Sequence, residues 1–380
     1  MKKIPFNSFL KLNYAKSFDE LFSDYTNFRN KIFSNRCLEI LQPDFPDSDL
    51  FLTHSATGAL EMIALLIDIK PGDEIILPSF TFVSTANAFV NRGAVPVFID
   101  IREEDFNIDP TLVEQAITAK TKAIIAVHYA GNACKMDQLM EIATRHHLFL
   151  IEDAAMGFGC ELNGKSLGSI GHFGVISFDI TKQITSVQGG LCIINDDKFK
   201  KRAANVYHIG TNRIDFQNGN TPYYEWVDVG SKFQMNELGA VVLYEQLRNF
   251  EKIRKSLDEQ FEELYNTIKE ADLDRYLPIV LRKKENWPRF KHSFYLILDS
   301  EAQRNQWIAL FQKHGLEAFF HYMPLHQARF NNSVSCNLCV SDRVAACVIR
   351  FPFYVHSELV PVIQRILKNE YIDGLFTNLN

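Results

Sequence analysis

The chain has 380 residues, 47% of them apolar and 23% charged, with a formal net charge of -6. Its length exceeds the usual single core, so two domains are expected, and the acidic balance lacks the basic footprint of a nucleic-acid binder. No apolar run is long enough to cross a bilayer, and seven scattered cysteines argue for a reducing cytoplasm over a disulfide framework.

Lys2 and Lys3 are similar to the start of a signal peptide, but Asn7, Ser8, Lys11 and Asn13 break up the apolar stretch that should follow. From about residue 50, strand and helix alternate. Leu50-Phe51-Leu52 predicts a short strand, followed by a polar turn and a helix over residues 59–66. Pro71-Gly72-Asp73 turns into a strand at 74–77, and a helix over 85–90 leads through Gly93 to a strand at 95–99. Asp109-Pro110 reads as an N-cap followed by proline at the first helical position, opening a helix to about residue 119. A strand at 122–128, a helix at 136–146 and a buried strand at 148–152 follow. Such units, with nearly continuous apolar strands, predict a mainly parallel sheet covered on both faces by helices. Ligands collect at the carboxyl ends of such strands, where His128, Asp153 and the turn after Leu52 fall. Residues 238–250 and 253–268 read as long amphipathic helices. A strand at 294–298 and helices at 302–314 and 359–368 predict a smaller α+β domain. The expected division is a large domain with an N-terminal arm over 1–250 and a small C-terminal domain over 251–380.

Two residues carry the chemistry. Lys182 closes the stretch Gly174-Val175-Ile176-Ser177-Phe178-Asp179-Ile180-Thr181-Lys182, and Asp153 ends the apolar run Leu148-Phe149-Leu150-Ile151-Glu152-Asp153. A lysine and an aspartate so placed suit pyridoxal phosphate: the amine forms a Schiff base with the aldehyde, and the carboxylate pairs with the ring nitrogen. The turn Thr53-His54-Ser55-Ala56-Thr57-Gly58 offers either a phosphate site at a helix N-terminus or plain N-capping. Phe82, after Pro78-Ser79-Phe80-Thr81, either stacks on a flat ring or packs in the core. Cys336-Asn337-Leu338-Cys339 has the spacing of half a zinc site. No second pair completes it, and His321 and His326, five apart around Pro324, are no helical pair, so no metal is expected.

Together these residues resemble the sugar aminotransferase family of pyridoxal phosphate enzymes. The likeness runs through Ile4-Pro5-Phe6-Asn7, Ser55-Ala56-Thr57, Pro71-Gly72-Asp73-Glu74 and the segment from Pro78 to Ala88. It continues through Val127-His128-Tyr129-Ala130-Gly131, Glu152-Asp153-Ala154-Ala155, Ser177-Phe178 with Lys182, and His321-Tyr322-Met323-Pro324-Leu325-His326. Gly210-Thr211-Asn212-Arg213 and the segment from Tyr224 to Ser231 are similar to the branch that makes dTDP-4-amino-4,6-dideoxygalactose.

The resemblance implies the aspartate aminotransferase fold (fold type I), with a mainly parallel seven-stranded sheet. It also implies a cytoplasmic homodimer with shared active sites, serving polysaccharide biosynthesis, with no nucleic acid or membrane as partner. Its cofactor would be pyridoxal 5'-phosphate, passing through pyridoxamine phosphate, with L-glutamate as donor and a nucleotide-linked keto-sugar as acceptor. Lys182 and Asp153 would be catalytic, Phe82 would stack on the ring, and Thr57, Gly58 and Ser177 would hold the phosphate. His321, Tyr322 and His326 would lie toward the sugar. Met156 stands where the family has a glutamine beside the ring hydroxyl, Gln188 where it has a glutamate, and Gln234 where it has an arginine. Lys232 takes the place of an asparagine that reaches the partner's cofactor phosphate. A 3-keto-sugar nucleotide is the second acceptor reading, and a non-enzymatic cofactor-binding protein the reading from another class.

Overall fold

The computed structural model describes residues 3–8, 10–270, 287–330, 334–335, 338–355 and 358–368. The main strands are β1 (Asp49–Thr53), β2 (Glu74–Pro78), β3 (Val95–Ile99), β4 (Thr121–Val127) and β5 (Phe149–Asp153). A small hairpin, β6 (Glu161–Leu162) and β7 (Lys165–Ser166), precedes β8 (Phe173–Ser177) and β9 (Gly190–Ile194). Later come β10 (Phe294–Ile297), β11 (Val334–Ser335) and β12 (Val348–Phe351). The large sheet runs β1-β9-β8-β5-β4-β2-β3-β11. Every pairing in it is parallel except those of β9, which runs antiparallel to both β1 and β8. Seven strands form its body, as expected, and the two-residue β11 adds an edge from the C-terminal part of the chain. β10 and β12 form a separate antiparallel pair.

Helices α1 (Ala15–Ser23), α2 (Tyr25–Arg29) and α3 (Ile32–Leu41) precede the sheet. Between its strands lie α4 (Ala56–Leu66), α5 (Val83–Val90), α6 (Pro110–Ala116), α7 (Met136–Arg145) and, after β9, α8 (Asp197–Tyr207). Then follow α9 (Arg213–Gln217), α10 (Glu237–Arg248), α11 (Phe250–Glu270), α12 (Glu301–Lys313), α13 (Cys339–Cys347) and α14 (Leu359–Lys368). The Asp109 carboxylate caps α6 at Thr111, with Pro110 in the first turn, but the helix stops at Ala116 because Ile117 turns extended.

Alternation along the strands splits the interior in two. Ile75, Leu77, Ile125 and Ile151 pack into one apolar layer with α4 and α5, while Ile76, Ile124 and Leu150 face α7 on the other side. Burial on both faces is what continuous apolar strands require. Every parallel strand of the body therefore ends at one edge. Among the described residues, Cys339 begins α13 and is exposed; Cys336, its partner in the zinc-like spacing, lies outside them.

Two buried carboxylates fix that edge. Asp100, just past β3, accepts hydrogen bonds from the Val340 and Ser341 amides and the Ser341 hydroxyl, joining the N-terminus of α13 to the sheet. Glu152, fully buried one residue before the end of β5, accepts from the amides of Gly168 (2.9 Å), Ile170 (2.6 Å) and Gly171 (2.6 Å). It also accepts from His128 Nε2 at 2.9 Å. The Cys134 amide donates to His128 Nδ1, so the imidazole proton sits on Nε2. Each buried donor left stranded costs about 1–3 kcal/mol. Glu152→Ala is therefore expected to lower the unfolding free energy by at least about 3 kcal/mol, measured by urea denaturation followed by circular dichroism.

Candidate active site

A cavity of about 350 Å³ opens at the carboxyl edge of the sheet. Ser55, Ala56 and Thr57 reach it after β1, Thr81 and Phe82 after β2, His128 after β4, Asp153 from β5 and Ser177 from β8. Lys182 enters from the turn beyond β8, where its amide donates to the Asp179 carbonyl at 2.9 Å.

Asp153 is nearly inaccessible, at 6% exposure, and is held rigidly. The Thr85 hydroxyl donates to one carboxylate oxygen at 2.7 Å, and the Ala155 amide donates to the other at 3.1 Å. The Lys182 amine is pushed down to about 8, by burial first and by the Arg350 guanidinium next; Asp153 and Asp179 act in the opposite direction. About a tenth of the amine is thus neutral at pH 7, far more than for an ordinary lysine, and a nucleophile or base requires that form.

At the other end of the cavity, α4 begins three residues earlier than the sequence suggests, placing Ala56 and Thr57 in its first turn. The Ser55 hydroxyl caps this helix by accepting the Gly58 amide at 2.9 Å. Gly58 itself does not line the cavity; a side chain there would meet the His54 ring at 2.6 Å. Thr57 Oγ1 donates to Ser84 Oγ at 2.8 Å, and the Ser177 hydroxyl accepts the Asp179 amide at 3.3 Å. Phe82 stands on the rim, 58% exposed, and Met156 lies in the wall.

The residues expected on the substrate side divide. His321 and Tyr322 line the cavity, their rings 3.7 Å apart between centroids. His326 does not. Its amide donates to Ser79 Oγ, which turns the Ser79 hydroxyl proton toward His326 Nδ1 at 2.7 Å, while Nε2 faces Asp342 at 3.1 Å. The short helical turn after Pro324 folds this imidazole back against the end of β2, where it acts as a brace. Lys232 is exposed outside its own chain's cavity, beside Lys31 and Arg213. Burial is the main cause lowering the Lys31 amine, and the neighbouring positive charges of Arg213 and Lys232 add to it, against Glu237. Gln234 contacts His208 Nδ1 at 2.7 Å.

Sequence reasoning missed Arg350, Tyr129 and His292, all in the cavity wall. Arg350 sits on β12, where a lone charge in Val348-Ile349-Arg350-Phe351 was the available signal. Its Nη1 lies 2.6 Å and 3.0 Å from the two His321 ring nitrogens, and its guanidinium carbon lies 5.2 Å from the centre of the Phe6 ring. His321 is driven well below its ordinary value by burial, then by Arg350 and Lys182, so a neutral ring nitrogen accepts the hydrogen bond. His292 is lowered to about 3, chiefly by burial, with its Nε2 3.0 Å from the Phe158 carbonyl. Among the described residues no group of three or more histidine, cysteine or acidic side chains is placed to hold a metal, and no helix is long and apolar enough to cross a membrane.

Residues 51–366 match the model described as the DegT/DnrJ/EryC1/StrS aminotransferase family. The chain belongs to this family. It is 32% identical over 317 residues to an uncharacterized protein of Methanocaldococcus jannaschii, covering 81% of this chain and 76% of that one. It is also similar to the aminotransferase TlmJ of Streptoalloteichus hindustanus, at a TM-score of 0.84 and 22% identity over 100% of both chains. Likeness extends to PseC of Helicobacter pylori, an aminotransferase involved in pseudoaminic acid biosynthesis, at 0.82 and 22% over 100% of both. The architecture is that of aminotransferase fold type I.

The depressed Lys182 value predicts a specific pH dependence in this DegT/DnrJ/EryC1/StrS family member. Because the folded amine sits near 8 against an ordinary value of 10.5, burying the charged form opposes folding fully below about 8. Stability should rise as pH climbs from about 8 toward 10.5, where the unfolded chain binds the extra proton. Lys182→Met should therefore stabilise the cofactor-free protein at pH 7, with the advantage shrinking across that window, as read from melting temperatures at stepped pH.

Proposed function

We propose that the chain is a pyridoxal phosphate-dependent aminotransferase. It carries an amino group from L-glutamate to a nucleotide-linked 4-keto-6-deoxy sugar, with dTDP-4-keto-6-deoxyglucose the favoured acceptor, in polysaccharide biosynthesis. The observation that carries this reading is the meeting of the Lys182 amine, lowered to about 8, and the anchored Asp153 carboxylate in one cavity. The choice of sugar rests on the likeness of segments 210–213 and 224–231 to one family branch.

The donor set fits the cofactor. Thr57, Ser177 and the first amides of α4 provide hydroxyls and positive dipole ends for a phosphate. The Phe82 ring offers an aromatic face at the rim, and Asp153 offers a fixed anion for a ring nitrogen. Met156, in the cavity wall, offers a thioether, which could not donate a hydrogen bond to a ring hydroxyl. Pyridoxal phosphate, when bound, supplies an aldehyde that condenses with amines and a ring that accepts the electron pair left by a departing proton.

Lys182 then does two jobs. Its neutral amine is the attachment point for the cofactor. Once displaced by the donor, the same amine takes the proton from the amino acid's alpha carbon and later delivers one to the sugar carbon. Asp153 stays fixed by Thr85 and Ala155 throughout, so its charge needs no rearrangement as the reaction proceeds. Tyr322 and His321 shape the wall on the acceptor side.

The reading includes a homodimer. Tyr224, Trp226, Val227 and Val229 stand exposed, Trp226 at 80%, on the segment that leads to Lys232. An exposed apolar cluster of this kind suits a subunit contact. The cations Lys31, Arg213 and Lys232 gathered beside it suit a phosphate held by the partner's cavity.

Protein supplied with pyridoxal phosphate should absorb visible light, and borohydride should fix the cofactor on the peptide containing Lys182. Labelling of a different lysine would remove the assignment. Lys182→Ala should keep its fold and lose turnover by roughly three orders of magnitude or more. Mixing Lys182→Ala chains with Lys232→Ala chains should restore activity in hybrid dimers, because one site then has both groups. A fully active monomer by light scattering would contradict the shared site.

A further inference from the structure

His292 keeps one bare acceptor in the cavity wall. Its Nε2 lies 3.0 Å from the Phe158 carbonyl, which can only accept, so the ring proton sits on Nε2 and Nδ1 carries a lone pair. Burial, the main cause of its lowering to about 3, keeps the ring neutral. Among the described residues nothing hydrogen-bonds Nδ1. The ring is also locked. Phe290 meets it edge-on at 4.8 Å between centroids, and the His292 carbonyl accepts from the Gln183 side-chain amide at 3.1 Å. That last bond ties His292 to the residue next to Lys182. The small accessible part of His292, 6%, belongs to the cavity wall. Unlike the Tyr129 and Ser293 hydroxyls, which are sealed without partners, Nδ1 is open to a ligand.

We propose, resting on the keto-sugar aminotransferase reading, that His292 selects the acceptor by receiving at Nδ1 a hydrogen bond from the hydroxyl next to the ketone. A neutral ring nitrogen with an exposed lone pair repels carboxylates and phosphates and attracts a hydroxyl. Glutamate has no hydroxyl, and its amine is spent in the transfer, so the sugar is the reactant with protons to give. Position selects which one. Lys182 delivers its proton to the ketone carbon, and Gln183 holds His292 against the same turn. In a 4-keto-6-deoxy sugar that carbon has two neighbours: carbon 3, which bears a hydroxyl, and carbon 5, which bears the ring oxygen and the methyl group. The hydroxyl on carbon 3 is thus the donor nearest the reaction. A sugar lacking it leaves Nδ1 stranded behind the substrate, and discrimination follows from that unpaired acceptor.

The probes are dTDP-6-deoxyglucose, which has a hydroxyl in place of the ketone and cannot react, and its analogue lacking the hydroxyl on carbon 3. Calorimetry on protein loaded with pyridoxamine phosphate should show the analogue binding wild type about threefold to tenfold more weakly. His292→Phe and His292→Gln should bind both probes equally, near the wild-type affinity for the analogue. The glutamine keeps an N–H for the Phe158 carbonyl but has no acceptor at the Nδ1 position, so it decides if the phenylalanine variant fails to fold. With dTDP-4-keto-6-deoxyglucose both variants should raise the acceptor KM. The glutamate half-reaction and the pH midpoint of the visible cofactor band should stay as in wild type. Equal binding of the two probes to wild type, or a preference that survives in both variants, overturns the contact. A shifted midpoint overturns it too, since the lone pair then serves the cofactor. Wild-type protein that binds neither probe counts against the dTDP-sugar reading itself, and the contact falls with it, whereas the other outcomes leave that reading standing.

Discussion

Glu152 holds the catalytic edge together because a buried carboxylate has to collect donors from wherever the chain can supply them. Here those donors come from two directions: His128, just past β4, and the loop 168–171 that leads into β8. Asp153 follows Glu152 directly, and Ser177 and Lys182 lie on the chain that the loop launches. One apolar substitution at this point would loosen three contributors to the cavity at once. The charge is stabilised by donors rather than by a cation, so it keeps its neighbours in register without drawing Lys182 or Arg350 out of the site.

The cavity keeps its own electrostatic order. Lys182 and Arg350 are its basic side chains, Asp153 and Asp179 its acids, and two histidines in the wall are held neutral by burial. Each group lowers or raises another: Arg350 pushes the Lys182 amine down while Asp153 pulls it up. Burial decides the outcome, being the largest cause. The result is an amine able to act as a base near neutral pH without a dedicated partner to deprotonate it.

Much of this was legible in the sequence because the parallel strands are continuous apolar runs and the site lies at their ends. Asp153 and Lys182 stood out by position against such runs, and the Asp109-Pro110 signal marked a helix start correctly. The direction of β9 was not legible, since a strand buried on both faces reads alike in either orientation. His326 was placed toward the substrate with its motif, yet a local turn sends it to Ser79 and Asp342. Arg350 escaped notice for the opposite reason: it comes from a strand 168 positions beyond Lys182, and only tertiary packing joins them. At Gly58 the glycine also leaves room for the His54 ring, which a side chain would meet.

Asp100 has a mechanical meaning as well. Its carboxylate ties the first turn of α13 to the end of β3 through two amides and a hydroxyl, and α13 runs directly into β12, the strand that carries Arg350. A rearrangement that widened the mouth of the cavity by pulling the C-terminal segment straight away would have to break all three bonds to a charged acceptor. The tether therefore fixes the start of α13, and through it the position of β12, against the end of β3.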